Sequence, residues 1–375
     1  MSQDLRNKES ILRNSGFQTI LASLLCIVLG LLVGFIVLLV INPLGAAGAI
    51  AAILKNFLYY PSSAAAMKYF GTTLVNASAL LMCSLSVLFA YKVGLFNIGA
   101  AGQYVVGAGA CLYCALGLKL PWIVCLLAAV AAAALAGGIS GALKAYFNVN
   151  EVISCIMLNW ISLYCVNMLL VNVKEQSTPY TTPLTSGNKG ALLPNMGLDK
   201  LFSNNEFVTI GLPLAVAMAI LVWVVLEKTK FGYELKATGL NKHAAKYCGM
   251  KEQRNVILTM MIAGGLAGFA AGIYYLTGIE QWMVQQTSVP AMGFNGIAAA
   301  FLGGLNPIGT IFSSYFIQHI TSGGTYVDKS MYCSQISDLI SAFIIYLCGF
   351  VLFFRLWLNR WLDKRDGKAK KGGNA

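Results

Sequence analysis

The chain has 375 residues, of which 58% are hydrophobic and only 11% charged, and its formal net charge is +12. Soluble domains carry roughly 25% charged residues, and a mean hydropathy of +0.70 excludes a surface that meets water over most of its area. Lipid suits such a chain, and about 20 residues cross the hydrocarbon core as a helix, so the length divides into membrane spans rather than soluble domains.

The first 18 residues are polar and carry Arg6, Lys8 and Arg13. Residues 19–41 then form an apolar run too long for the core of a signal peptide, with no clear small-residue cleavage site after it. It reads as a first, retained span. Further apolar runs at 72–91, 95–117, 121–145 and 151–172 complete spans one to five over 19–172. The segment 173–207 is polar, with only Lys174, Lys189 and Lys200 as basic residues. A sixth span follows at 208–226.

The loop 227–255 is densely basic, with Lys228, Lys230, Lys236, Lys242, Lys246, Lys251 and Arg254. Spans seven to ten occupy 256–357, in runs at 256–278, 291–323 and 336–357. The run 291–323 contains Gly303-Gly304-Leu305-Asn306-Pro307, a strong helix breaker. It splits into two short halves, 291–303 and 307–323. The tail 358–375 is again basic. Positive segments stay on the cytoplasmic side. Ten spans place both termini and the 227–255 loop there, and 173–207 outside. The positive charge is then a topology signal, and nucleic acid is not a partner. The expected fold is all-α: one polytopic helical bundle over 1–375, with about ten transmembrane segments.

Most of the ten cysteines sit inside apolar runs. Cys111 and Cys114 form a C-x-x-C in mid-span, with no second pair and no nearby histidine, so they read as packing residues. Gly264 and Gly268 form a G-x-x-x-G, a pattern that permits close helix contact in lipid.

Two segments echo each other: Gly94-Leu95-Phe96-Asn97-Ile98-Gly99-Ala100-Ala101-Gly102-Gln103, and Gly293-Phe294-Asn295-Gly296-Ile297-Ala298-Ala299-Ala300. The expected topology gives them opposite directions, as in an inverted pseudo-repeat. Asn and Gln within a span supply hydrogen bonds, and Phe supplies a flat apolar face. Phe96, Asn97, Gln103, Phe294 and Asn295 are therefore candidates for the path of an uncharged, hydrogen-bonding solute. Interhelical hydrogen bonding is the other role open to the same residues. Glu151, Glu280 and Asp338 lie near span ends, and His319 lies in the second short half. Ion-driven carriers keep acidic groups deep in the bundle, so an ion-coupled carrier is the weaker reading. The 227–255 loop is where energy from another protein can enter. Asn241 suits an N-cap for a short helix over 242–248, which Gly249 ends.

That loop resembles the coupling segment of ABC importer permeases, with an Ala-Ala-x-x-x-Gly core at Ala244, Ala245 and Gly249. His243 stands where the commonest form of the motif has Glu. Phe96–Gln103, Asn150-Glu151-Val152-Ile153 with Met157-Leu158-Asn159, and Gly293–Ala298 with Gly303–Pro307 resemble the branched-chain, simple-sugar and nucleoside group. Within that group the chain is similar to the longer permease of bacterial nucleoside importers. The resemblance implies a multi-pass protein of the bacterial plasma membrane, held in membrane lipid. It also implies a cytoplasmic ATPase, a second, unlike permease and an external substrate-binding lipoprotein as partners. Asn241, Ala244, Ala245 and Gly249 become the expected ATPase-coupling residues. No G-x-x-x-x-G-K-[ST] is present in the sequence, so ATP hydrolysis is expected from a partner and no catalytic residue in this chain; no metal or cofactor is expected either. A nucleoside is the expected solute, and a simple sugar is the alternative.

Overall fold

The computed structural model describes residues 15–333, 335–351 and 353–360. Arg6, Lys8 and Arg13, and most of the basic tail, lie outside the described residues. The main helices follow in chain order: α1 Ser15–Ile41, α2 Ala46–Lys55, α3 Ser63–Lys92, α4 Ala100–Leu112, α5 Trp122–Phe147, α6 Glu151–Leu170, α7 Gly211–Lys228, α8 Lys230–Leu240, α9 Lys242–Tyr247, α10 Glu252–Tyr275, α11 Ala291–Leu302, α12 Pro307–Gly323 and α13 Ile336–Cys348. Helices occupy all ten apolar segments expected from the sequence. Seven of them, among the described residues, are long and apolar enough to span a bilayer.

The break in the eighth run falls where expected. Helix α11 stops at Leu302 and α12 begins at Pro307. Gly304 and Leu305 both have positive φ, and the Asn306 side chain accepts from Ile308 N at 2.9 Å. Proline suits the first helical position because it lacks the N–H that would find no partner there.

Two further helices were not expected. Helix α2 is short and rich in alanine, without the length of a span. Helix α8 occupies over a third of the segment 227–255, which reads as a loop. Thr229 caps it, accepting from Gly232 N at 3.0 Å.

The chain divides into two compact units. The first comprises residues 1–56, 301–304 and 320–375. Within it α1 packs on α13, because Gly30 and Gly34 leave room for Ile344 and Ile340. The opposite stripe of α1, Leu24, Val28, Leu32 and Ile36, is exposed. Large aliphatic groups at a spacing of four along one face suit contact with lipid.

The second unit comprises residues 57–300 and 305–319. Helices α3, α4 and α10 are buried along most of their length, whereas α5, α6 and α7 are not. Gly264 and Gly268 of α10 face Ala133 and Ala129 of α5 so closely that an added Cβ would overlap those carbonyls. The G-x-x-x-G is thus a packing device, as the sequence suggests. Cys111 is also buried in this core, its thiol directed to the Ala108 carbonyl at 3.3 Å.

Candidate functional site

The segment expected to couple to an ATPase, Asn241–Gly249, forms α9 and the turn that precedes α10. Asn241 accepts from Ala244 N at 3.0 Å, which satisfies one of the free amides that open α9. Gly249 follows with φ +81°, the left-handed conformation that favours glycine after a helix end. Both features follow the sequence expectation. The two alanines differ, however. Ala244 is exposed, whereas Ala245 is 3% exposed where α9 packs on α8 and α10. Ala244, with Asn241 and His243, therefore lies on the exposed side of α9, and Ala245 seats the helix on its own chain. Asn255 at the start of α10 donates to Thr238 Oγ1 at 2.8 Å and to Glu234 Oε1 at 3.2 Å, which ties α8 to α10.

Helix α8 also touches the segment before α4. Gly239 lies so close to Val93 and Gly94 that a Cβ would overlap the Val93 carbonyl. Gly94 has φ +78° at this turn. The turn leads into Leu95-Phe96-Asn97, where the candidate path residues begin.

Asn97 is fully buried and Gln103 nearly so. Their amides are reciprocally bonded. Asn97 Nδ2 donates to Gln103 Oε1 at 2.9 Å and to Ser86 Oγ at 3.1 Å, and Gln103 Nε2 donates to Asn97 Oδ1 at 3.2 Å. Asn159 supports the same turn from α6. Its Oδ1 accepts from Gly102 N at 2.8 Å, a free amide at the head of α4, and its Nδ2 donates to the Ile98 carbonyl at 3.2 Å. Asn150 caps α6 by accepting from Val152 N at 2.9 Å, and Glu151 pairs with Lys144 of α5 at 2.7 Å. The polar motif residues therefore knit α3, α4, α5 and α6 together.

The geometry favours a positioning role for Asn97. Asn97→Ala leaves the Gln103 amide and the Ser86 hydroxyl without this partner in a buried site. The expected cost is about 1–3 kcal/mol, read as a lower thermal midpoint of the purified protein. An unchanged midpoint with weaker solute uptake would return Asn97 to the path.

The second echoed segment meets the first. Gly293 packs directly on Ala101, and Gly296 packs on Cys83 and Ser84 of α3. Phe294 is 40% exposed, Asn295 and Phe96 are half-buried, and Phe96 makes an edge contact with Tyr91 at 6.5 Å. The five candidate residues are thus not one cluster. Gln103 instead borders an apolar crevice of about 390 Å³ between α4, α5 and α6.

A polar cavity of about 490 Å³ lies at the opposite end of α10 from α9. Its lining includes Tyr104, Tyr274 and Tyr275 as well as Ala291 and Met292 at the head of α11. Tyr275 contacts Tyr104, Tyr274 and Trp282, with ring centroids 6.1, 5.5 and 6.0 Å away. Tyr274 Oη donates to Glu280 Oε2 at 2.7 Å. Asn167 anchors the loop that follows: Trp282 Nε1 donates to its Oδ1 at 3.0 Å, and its Nδ2 donates to the Gln286 carbonyl at 2.8 Å. Sequence reasoning missed this cavity. Its signal was the Tyr-Tyr pair closing a glycine-rich span just before Glu280.

Residues 69–349 match the family model described as branched-chain amino acid transport system / permease component. The guanosine ABC transporter permease protein NupP of Bacillus subtilis is 31% identical over 331 residues, 87% of this chain and 92% of that one. The nucleoside ABC transporter permease protein NupB of Lactococcus lactis is 30% identical over 378 residues, 96% of this chain and 100% of that one. The glucose ABC transporter permease protein TsgB13 of Haloferax volcanii is 30% identical over 324 residues, 82% of this chain and 84% of that one. No solved structure matches the chain. With its long apolar helices, the chain is a multi-pass protein of the plasma membrane and a transport component rather than an enzyme. It belongs to the branched-chain amino acid transport permease family, as a membrane-spanning permease subunit of an ABC importer.

Proposed function

We propose that the importer carries nucleosides and that this chain forms half of its pore. The observation that supports this reading most is the match to two nucleoside permeases along 87% and 96% of the chain. In this reading a cytoplasmic ATPase docks at Asn241–Gly249, a second, unlike permease completes the pore, and an external lipoprotein delivers the solute. The ten helical segments cross the membrane ten times, with 227–255 inside and 173–207 outside. The glucose permease among the relatives, at 30% identity, gives a simple sugar as the second reading.

The test is uptake by the complete transporter in proteoliposomes loaded with ATP. Labelled uridine or guanosine should accumulate only with ATP and Mg²⁺, and excess glucose should not compete. Accumulation driven by a sodium or proton gradient without ATP would overturn the reading. Glucose uptake without nucleoside uptake would replace the solute.

A further inference from the structure

We propose that the cavity at the Tyr275 end of α10 is a binding site for a ribonucleoside, with Tyr180 as the stacking face and Glu280 as the acceptor of the ribose diol. This rests on the nucleoside reading above and deepens it to named groups. The cavity volume of about 490 Å³ lies within the roughly 300–1,000 Å³ of small-molecule sites.

Its two sides differ in chemistry. The floor is aromatic and closed, because Tyr104, Tyr274 and Tyr275 are buried and the Tyr275 ring contacts the other two. The rim is polar and open, with Glu280, Gln285 and Thr287 exposed. Tyr180 also lines the cavity and is 40% exposed. Its backbone is held by the Tyr180–Met283 bridge and by Val284 N donating to the Pro179 carbonyl at 2.9 Å. A fixed backbone under an exposed aromatic side chain suits stacking on a flat heterocycle.

Glu280 supplies the complementary group. Tyr274 occupies Oε2, and among the described residues no hydrogen bond is made to Oε1. A carboxylate oxygen accepts and cannot donate when ionised, so it suits a ligand that presents hydroxyl donors. A vicinal diol offers two. Hydrogen bonds to a charged group are the stronger class. A base with an attached ribose meets both requirements at once. A free base lacks the diol, and a monosaccharide lacks the flat heterocycle.

The test compares uridine with 2′,3′-dideoxyuridine in the ATP-driven uptake assay, using the complete transporter. The wild-type protein should prefer uridine by about tenfold or more. Glu280→Gln should bring the two solutes to near parity, mainly by lowering uridine uptake. Tyr180→Leu should lower uptake of both, by roughly 5–150-fold at low concentration. Both variants should assemble with their partners as the wild type does. Equal loss of both solutes in Glu280→Gln would mark a structural role and overturn the assignment. Unchanged uptake in both variants, beside a wild type that carries uridine, would overturn the site alone. A wild type that carries neither solute would overturn the nucleoside reading, and this site with it.

Discussion

Ala244→Trp is expected to strip the ATPase from the purified transporter and to abolish ATP-driven uptake. Ala244 is exposed on a helix of six residues whose orientation is fixed by the Asn241 cap and the turn at Gly249. A tryptophan there would stand between this face and a close-fitting cleft. Overpacking costs about 1–3 kcal/mol, and the upper value corresponds to roughly 150-fold weaker association. The membrane bundle should be untouched, so the free permease should keep its thermal midpoint. Ala245→Trp should behave differently. Ala245 is already buried against its own chain, so a large group there would unseat α9 and lower the midpoint. Lys246→Glu should change little, because exposed ion pairs contribute only about 0–1 kcal/mol. Co-purification of the ATPase with Ala244→Trp at wild-type stoichiometry, with normal uptake, would show that this face is not the docking surface.

The contrast between the two alanines shows where sequence reading stops. The apolar runs were legible because lipid demands about 20 apolar residues per crossing. The Asn241 cap, the Gly249 turn and the break before Pro307 were legible because each depends on a few neighbouring residues. Helix α8 was not. Gly232, Thr238 and Gly239 are poor helix formers, and two of these three are used for close contact. Gly232 lies against Val225 and Gly239 against Val93, distances that only backbone on backbone can reach. Tertiary contact therefore sustains a helix that local propensity disfavours. The roles of Asn97 and Gln103 were half legible: a buried amide requires partners, but the sequence does not show that they choose each other. The cavity was illegible for a simpler reason. Tyr104, Tyr180 and Glu280 come from distant parts of the chain, and only the fold brings them to one opening.

Gly239→Ala is expected to separate ATP hydrolysis from transport. A run of contacts joins α9 to the cavity lining. Helix α9 packs on α8, and Gly239 of α8 packs on the Val93–Gly94 turn. The turn continues into Asn97, which is locked to Gln103 in the first turns of α4. Ala101 in the same region carries Gly293, two residues after Ala291 of the cavity lining. Spatial continuity alone does not establish coupling, so the contact must be broken without removing either end. A methyl at Gly239 would overlap the Val93 carbonyl. Backbone cannot yield there, so α8 must shift away from the turn. The proposed docking face at Asn241–Ala244 and the cavity keep their side chains. The complex should assemble, and basal ATP hydrolysis should persist, while solute accumulated per ATP falls about tenfold or more. A wild-type ratio of transport to hydrolysis would remove this contact from the coupling route. Loss of assembly would reduce it to packing. A lowered ratio in an intact complex would identify the backbone junction of Gly239 with Val93 as the point where the ATPase moves the pore.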